Sequence, residues 1–216
     1  MADIIATTFA EDTSEFISSI SDIELSLFEL RVDALQRYDV EELCGTDKDL
    51  VITVRRKEEG GVKEIPEGKR LSIFDDFLEK DPAFVDIELN SEIVDDVLDR
   101  IDGSPSKSIL SHHDLEKTPD EDQLFSLLDK MKDKRPDIMK IVTNCNSPED
   151  IRKMIQLSKT DNDLIAFCMG EKGMISRALS LKYCPMTYGS ISNYKTAPGQ
   201  LSVSQLRSLK EVLNRG

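Results

Sequence analysis

The sequence predicts an α/β protein, a (β/α)8 TIM barrel formed as a single domain over residues 1–216. Three observations point there. Eight short, apolar, β-branched runs recur along the 216 residues, charged segments with apolar residues at helical spacing separate them, and ionisable residues gather at the C-terminal ends of five consecutive runs. Strict strand–helix alternation implies a parallel sheet with right-handed crossovers. Eight such units in a chain of this length favour closure into a barrel. An open doubly wound sheet is the alternative, but the first turn, Thr7-Thr8-Phe9-Ala10-Glu11, has no glycine fingerprint for a nucleotide.

The expected strands are residues 4–9, 25–32, 50–55, 84–89, 108–111, 138–143, 164–169 and 186–191. Helical spacing is plainest in Leu124, Leu127, Leu128 and Met131, and again in Leu206, Leu209 and Val212. Start signals precede several helices. Thr118-Pro119-Asp120-Glu121 supplies a cap, a first-turn proline and an acid three residues after the cap; Ser147-Pro148-Glu149-Asp150 repeats the scheme, and Ser202 with Gln205 suggests a further capping box. No linker or low-complexity tract divides the chain.

With 39% hydrophobic and 32% charged residues the composition is that of a globular protein. A net charge of −14 argues against nucleic acid and anionic membranes as partners, because both demand a positive surface. A small anionic substrate remains compatible if positive charge is concentrated in one cleft. No run approaches the roughly 20 apolar residues of a membrane helix, and the N-terminus lacks a basic region and a long apolar core, so a cytoplasmic location is expected. Cys44, Cys145, Cys168 and Cys184 are far apart and form no CxxC pair, so no zinc ribbon or redox motif is expected.

Lys140 interrupts the otherwise apolar run Ile138-Met139-Lys140-Ile141-Val142. Burial disfavours an ammonium, and a fully buried amine falls by as much as ~3–5 units from its free value. The neutral amine that results is the species that attacks a carbonyl to form a Schiff base. The alternative is an edge-strand lysine facing water.

Period two places Glu29 and Arg31 on one face at the end of the second strand. The third strand ends at Arg55, the fourth carries Asp86 and Glu88 on one face, and the fifth ends Ser111-His112-His113-Asp114, with both histidines of the chain. Each has a plain explanation alone: Glu29 with Arg31, or Arg55 with Glu88, as structural ion pairs. Five consecutive strands ending this way around one lysine fit the site of a barrel, where chemistry sits at the C-terminal face.

These residues resemble the type I 3-dehydroquinate dehydratases, the Schiff-base enzymes of the shikimate pathway. The resemblance rests, in order, on Glu29-Leu30-Arg31-Val32-Asp33, on Arg55 with Glu59-Gly60-Gly61, on Ser111-His112-His113-Asp114 and on Lys140-Ile141. It continues through Met169-Gly170, Ser176-Arg177 and Thr196-Ala197-Pro198-Gly199-Gln200. Thr196 stands where the family usually has serine. The chain is shorter than many members and is expected to lack their N-terminal hairpin.

The resemblance implies that Lys140 forms an iminium with the C3 ketone of 3-dehydroquinate, that His113 moves the C2 proton and then assists loss of the C1 hydroxyl, and that Glu59 orients His113. It implies further that Arg177 clamps the substrate carboxylate and that Glu29, Arg55, Thr196 and Gln200 hold hydroxyls or carboxylate. Arg31 is expected to support Glu29 and the barrel mouth or to touch substrate, and the Ala197–Gln200 loop to close as a lid. No metal or cofactor is required. Homodimers occur in the family, and a barrel of this size is equally compatible with a monomer. Two other readings stay open: a class I aldolase-type Schiff-base barrel, although no phosphate-binding loop is evident, and a catalytically silent barrel acting as a binding subunit.

Overall fold

The computed structural model describes residues 1–191 and 197–214. Eight parallel strands form one sheet: β1 (Asp3–Thr8), β2 (Leu27–Arg31), β3 (Asp49–Thr53), β4 (Phe84–Glu88), β5 (Lys107–Asp114), β6 (Ile138–Asn144), β7 (Leu164–Met169) and β8 (Met186–Ser190). Each is followed by a helix: α1 (Thr13–Ile20), α2 (Val40–Cys44), α3 (Glu67–Leu78), α4 (Val94–Ile101), α5 (Glu121–Asp133), α6 (Pro148–Leu157), α7 (Met174–Tyr183) and α8 (Val203–Asn214). The sheet runs β7-β6-β5-β4-β3-β2-β1-β8, so consecutive strands are neighbours and β8 returns to β1. This is the (β/α)8 barrel that the alternation predicts.

Closure has one seam. Among the described residues β7 and β8 share no ladder. The free edge of β7 is served by side chains instead: the Ala166 amide donates to Cys184 Sγ at 3.5 Å and the Cys168 amide to Ser176 Oγ at 2.8 Å. Buried backbone donors therefore keep partners without the last ladder.

Alternation along the strands builds two cores. Outward residues such as Phe28, Leu30, Ile52, Ile87 and Ile141 meet the helices in the main apolar layer. Inward residues Ile5, Val51, Ile109 and Ile165 are completely buried and fill the barrel below the site. Above that floor the inward positions turn polar, at Glu29, Thr53, Asp86, Ser111 and Lys140.

The helix starts agree with two of three signals. Asp150 accepts from the Ser147 amide at 2.8 Å, and Ser202 and Gln205 exchange side-chain bonds with each other's amides. The third is corrected. Asp120, not Thr118, caps α5 in a box with Gln123. Thr118 turns inward, where Oγ1 lies 2.7 Å from Thr143 Oγ1 and donates to the Asn144 carbonyl, an arrangement set by strand β6 rather than by the helix.

The loops at the site depend on glycine at two points. Gly60, at φ 92°, ends the short 3-10 turn Lys57–Glu59 and so presents Glu59 inward. Gly199, at φ 70°, lets the loop after β8 approach the loop after β7, where the Gly170 amide donates to the Pro198 carbonyl; a Cβ there would overlap the Gly170 carbonyl.

Candidate active site

β6 lies between β5 and β7, and Lys140 is in register with Ser111 on one side and Ile165 on the other. The edge-strand alternative is thereby excluded: the lysine is 4% exposed and points into the barrel. Its Nζ lies 2.9 Å from Asp86 Oδ2, 4.0 Å from Glu29 Oε1 and 3.9 Å from the centre of the Tyr188 ring. Burial lowers the amine below its ordinary value, and the carboxylates of Asp86 and Glu29 offset that only in part.

Asp86 is the anchor of this group. Oδ1 takes an ion pair from Arg55 Nη2 at 2.8 Å and a hydrogen bond from Ser111 Oγ at 2.6 Å, while Oδ2 takes Lys140. Burial opposes its ionisation, but Arg55 and Lys140 overcome that and hold the carboxyl at about 2. Arg55 in turn reaches Glu88 Oε1 at 2.9 Å and Ser111 Oγ at 2.7 Å. The Arg55–Glu88 ion pair, the plain structural alternative for these two residues, is present, and Arg55 lines the cavity as well.

β5 turns His113 inward and His112 outward, which resolves the doublet by parity. His112 Nδ1 lies 3.3 Å from Asn90 Nδ2 at the surface. His113 lines the cavity, and Glu59 Oε2 accepts from its backbone amide at 2.8 Å and lies 3.2 Å from its Nδ1. Burial, then the positive charges of Arg55 and Lys140, push the His113 imidazole well below its ordinary value. Burial also raises Glu59, to about 7. The contact is therefore a hydrogen bond of neutral imidazole rather than an ion pair. With Oε2 accepting from the amide, the ionised Glu59 carboxylate favours the tautomer that carries its proton on Nδ1 and leaves Nε2 a lone pair.

Arg31 departs from its expected role as support for Glu29. Its fork closes on Asp33, with Nε–Oδ1 at 2.8 Å and Nη2–Oδ2 at 2.7 Å, and Nη2 also reaches the Gly60 carbonyl. The chain turns as β2 ends, returning the Asp33 carboxylate beside the guanidinium, where it also accepts from the Val62 amide. Glu29 is held instead by Thr53 Oγ1 at 3.2 Å and by Lys140. Arg31 still lines the cavity rim.

Among the described residues Arg177 is a cavity cation with no counter-charge. It rises from the first turns of α7, its guanidinium carbon lies 4.6 Å from the centre of the Phe167 ring, and it makes no ion pair among the described residues. Its Nε is buried with no hydrogen-bond partner among them. Burial with no carboxylate in compensation lowers it to about 10. A buried guanidinium in this condition suits an incoming carboxylate.

One cavity of about 390 Å³ collects these groups: Glu29, Arg31, Arg55, Glu59, His113, Lys140, Arg177 and Gln200 all line it. Of the residues expected from the sequence only Thr196 lies outside the described residues. Three further residues support the site. The strand pattern sets Asp86 on one face with Glu88 but gives it no role. Tyr188 was legible too, since period two along β8 sets it inward with Met186. Arg70, on α3, gave no signal; it is fully buried and donates to the Val54 carbonyl, Ser91 and Glu88, securing Glu88 from outside the barrel.

A family model described as type I 3-dehydroquinase matches residues 4–215. The 3-dehydroquinate dehydratase of Pyrococcus abyssi is 41% identical over 215 residues, covering 99% of this chain and 100% of that one. That of Thermococcus gammatolerans is 36% identical over 211 residues, covering 98% and 99%. Among solved structures, a type I 3-dehydroquinate dehydratase from Clostridium difficile, with covalent modified comenic acid, superposes with a TM-score of 0.88 at 25% identity, over 99% of this chain and 92% of that one. With the geometry above, these similarities establish that the chain belongs to the type I 3-dehydroquinase family.

Proposed function

We propose that this chain converts 3-dehydroquinate to 3-dehydroshikimate through a Schiff base at Lys140. One observation carries the reading: a buried lysine, a neutral imidazole and a guanidinium with no counter-charge among the described residues line a single cavity.

Lys140 Nζ, once neutral, attacks the C3 ketone. The C–N bond forms and the ketone oxygen leaves as water, so the nitrogen becomes an iminium. His113 Nε2 then takes the C2 proton, and the C–H electrons move into the iminium to give an enamine. The enamine electrons return, the C1–O bond breaks, and His113 supplies the proton with which the hydroxyl departs as water. Hydrolysis of the product iminium restores Lys140. Glu59 holds the imidazole by Nδ1 and accommodates the charge it acquires. Arg177 binds the C1 carboxylate, and Glu29, Arg55 and Gln200 order the ring hydroxyls.

Asp86 supports the first step by fixing Nζ at 2.9 Å without ever taking the proton at neutral pH, since its own carboxyl stays at about 2. The overall acidity of the chain is no obstacle, because attraction of an anion needs positive charge only where it binds. We take the chain as one catalytic domain, since all eight strands share one sheet. Four free cysteines support a reducing, cytoplasmic setting.

Borohydride added with 3-dehydroquinate tests the proposal. Irreversible inactivation is expected, with added mass on the Lys140 peptide, alongside a new conjugated-enone absorbance when borohydride is left out. Mass on another lysine removes Lys140 as the Schiff-base residue, and neither adduct nor enone leaves the silent-barrel reading; an adduct without the enone product points to aldolase-type chemistry.

A further inference from the structure

Beside Asp86 and Glu29, Lys140 has a third close neighbour that the steps above do not use. The Tyr188 ring lies face-on to Nζ, 3.9 Å from ring centre to nitrogen, on the inward face of β8. Its hydroxyl is buried and has no hydrogen-bond partner among the described residues. No polar tether therefore sets the ring in place. Packing against the barrel interior does, and the face it presents is the electron-rich one.

We propose that the aromatic face of Tyr188 is a catalytic element of this site, stabilising positive charge on the Lys140 nitrogen through the iminium stage. This rests on the Schiff-base reading and deepens it. In imine formation the ketone oxygen leaves as water with one proton from the amine and one delivered from outside, and the nitrogen retains a full positive charge. Its carboxylate neighbours cannot follow the charge freely: Asp86 is already bound to Arg55 and Ser111, and Glu29 is 4.0 Å away. A neutral ring against the nitrogen adds attraction without adding a base that would strip the iminium proton. Such contacts are strongest when desolvated, and Lys140 and Tyr188 are both buried.

The groups facing Nζ are Asp86 and Glu29, which favour the charged form, and Arg55, which disfavours it, with His113 on the next strand. All four are left intact by substitutions at position 188. The ring favours the charged form as well, so weakening it should lower the midpoint pH at which Lys140 becomes reactive. On the alkaline side of that midpoint, where the starting amine is neutral, it should also lower the fraction of enzyme held as iminium.

The test is borohydride trapping with 3-dehydroquinate across pH in the full chain. Tyr188→Phe should trap like the parent protein. Tyr188→Leu should move the midpoint down by about one pH unit and cut the alkaline trapped fraction about tenfold. Because leucine also changes packing, the decisive series places phenylalanine and its mono- and trifluorinated forms at position 188. These keep the shape while progressively draining the ring face, and a graded fall should follow. A parent adduct with no gradation across the fluorinated rings overturns the role of the ring and leaves the Schiff base standing. So does a Tyr188→Phe loss as large as that of the trifluorinated ring, which would assign the effect to the hydroxyl. Absence of any adduct at Lys140 in the parent protein overturns the underlying reading instead.

Discussion

Asp86 Oδ2 and Lys140 Nζ lie 2.9 Å apart inside the barrel, and the same carboxylate binds Arg55 through its other oxygen. The lysine is therefore held between two influences. Burial drives it toward the neutral amine, and Asp86 drives it toward the ammonium.

Asp86→Asn removes the second influence. An opposite charge at this distance shifts a pKa by roughly 1–3 units. The midpoint of Lys140 reactivity toward a carbonyl should therefore move to lower pH by about that amount, read as borohydride-trapped adduct against pH. An unmoved midpoint would mean that Asp86 does not set the lysine.

His113→Ala should accumulate trapped adduct while turnover falls by about 10²–10⁴-fold, the usual range for loss of a general acid–base group. His112→Ala should stay within a few-fold of the parent, since its ring faces Asn90 on the outside of the barrel. Steady-state rates of the two variants decide between the imidazoles, and a crippled His112→Ala would reverse the assignment.

Arg177→Ala should chiefly raise KM, by about 10- to 100-fold, because hydrogen bonds to a charged group contribute roughly 1.5–3 kcal/mol. Arg177→Lys should recover little, as a point charge does not reproduce a planar fork. An unchanged KM would remove the carboxylate clamp.

Glu59 makes stability depend on pH with a definite sign. Its carboxyl sits at about 7 in the folded protein, above the ordinary 4.5. The folded state thus favours the protonated acid: its stabilisation is complete below pH 4.5 and lost as pH rises through 7. At about 1.36 kcal/mol per unit the loss is on the order of 3 kcal/mol. Glu59→Gln keeps an acceptor for the His113 amide and should flatten that decline, measured by urea unfolding from pH 4.5 to pH 8. Parallel curves for the two proteins would mean that Glu59 ionises normally.

Arg70→Met should cost roughly 3–5 kcal/mol by denaturant unfolding, the range for stripping one partner from a buried ion pair. Among the described residues Glu88 would keep Arg55 and the Arg56 amide. A loss below about 1 kcal/mol would show that these suffice.

Much of this site was readable along the chain. Period two sets Glu29 with Arg31 and Asp86 with Glu88 on shared faces, and the same rule applied to β6 and β8 puts Lys140 and Tyr188 inward once the barrel is known, because side chains in a strand alternate and barrel strands have one inside. The same rule separates His113 from His112 once the strand is known to run to Asp114, three residues beyond the run read from apolar residues. Polar strand ends carry too little hydrophobic signal to mark that extension. Likewise Thr118 has the residue type of a cap, yet a buried hydroxyl partner on β6 claims it and Asp120 takes over.

Local pattern thus decides the barrel, the inward rows and the kinds of side chain around the lysine, since these follow from backbone geometry and from neighbours close in sequence. Who pairs with whom does not follow. Arg31 takes Asp33 and not Glu29, Arg177 has no acid beside it among the described residues, and Arg70 reaches Glu88 from the helical layer. Those choices depend on distances between side chains set by folding, and in a low-dielectric interior an ångström or two determines which charges are neutralised and which are left for a ligand.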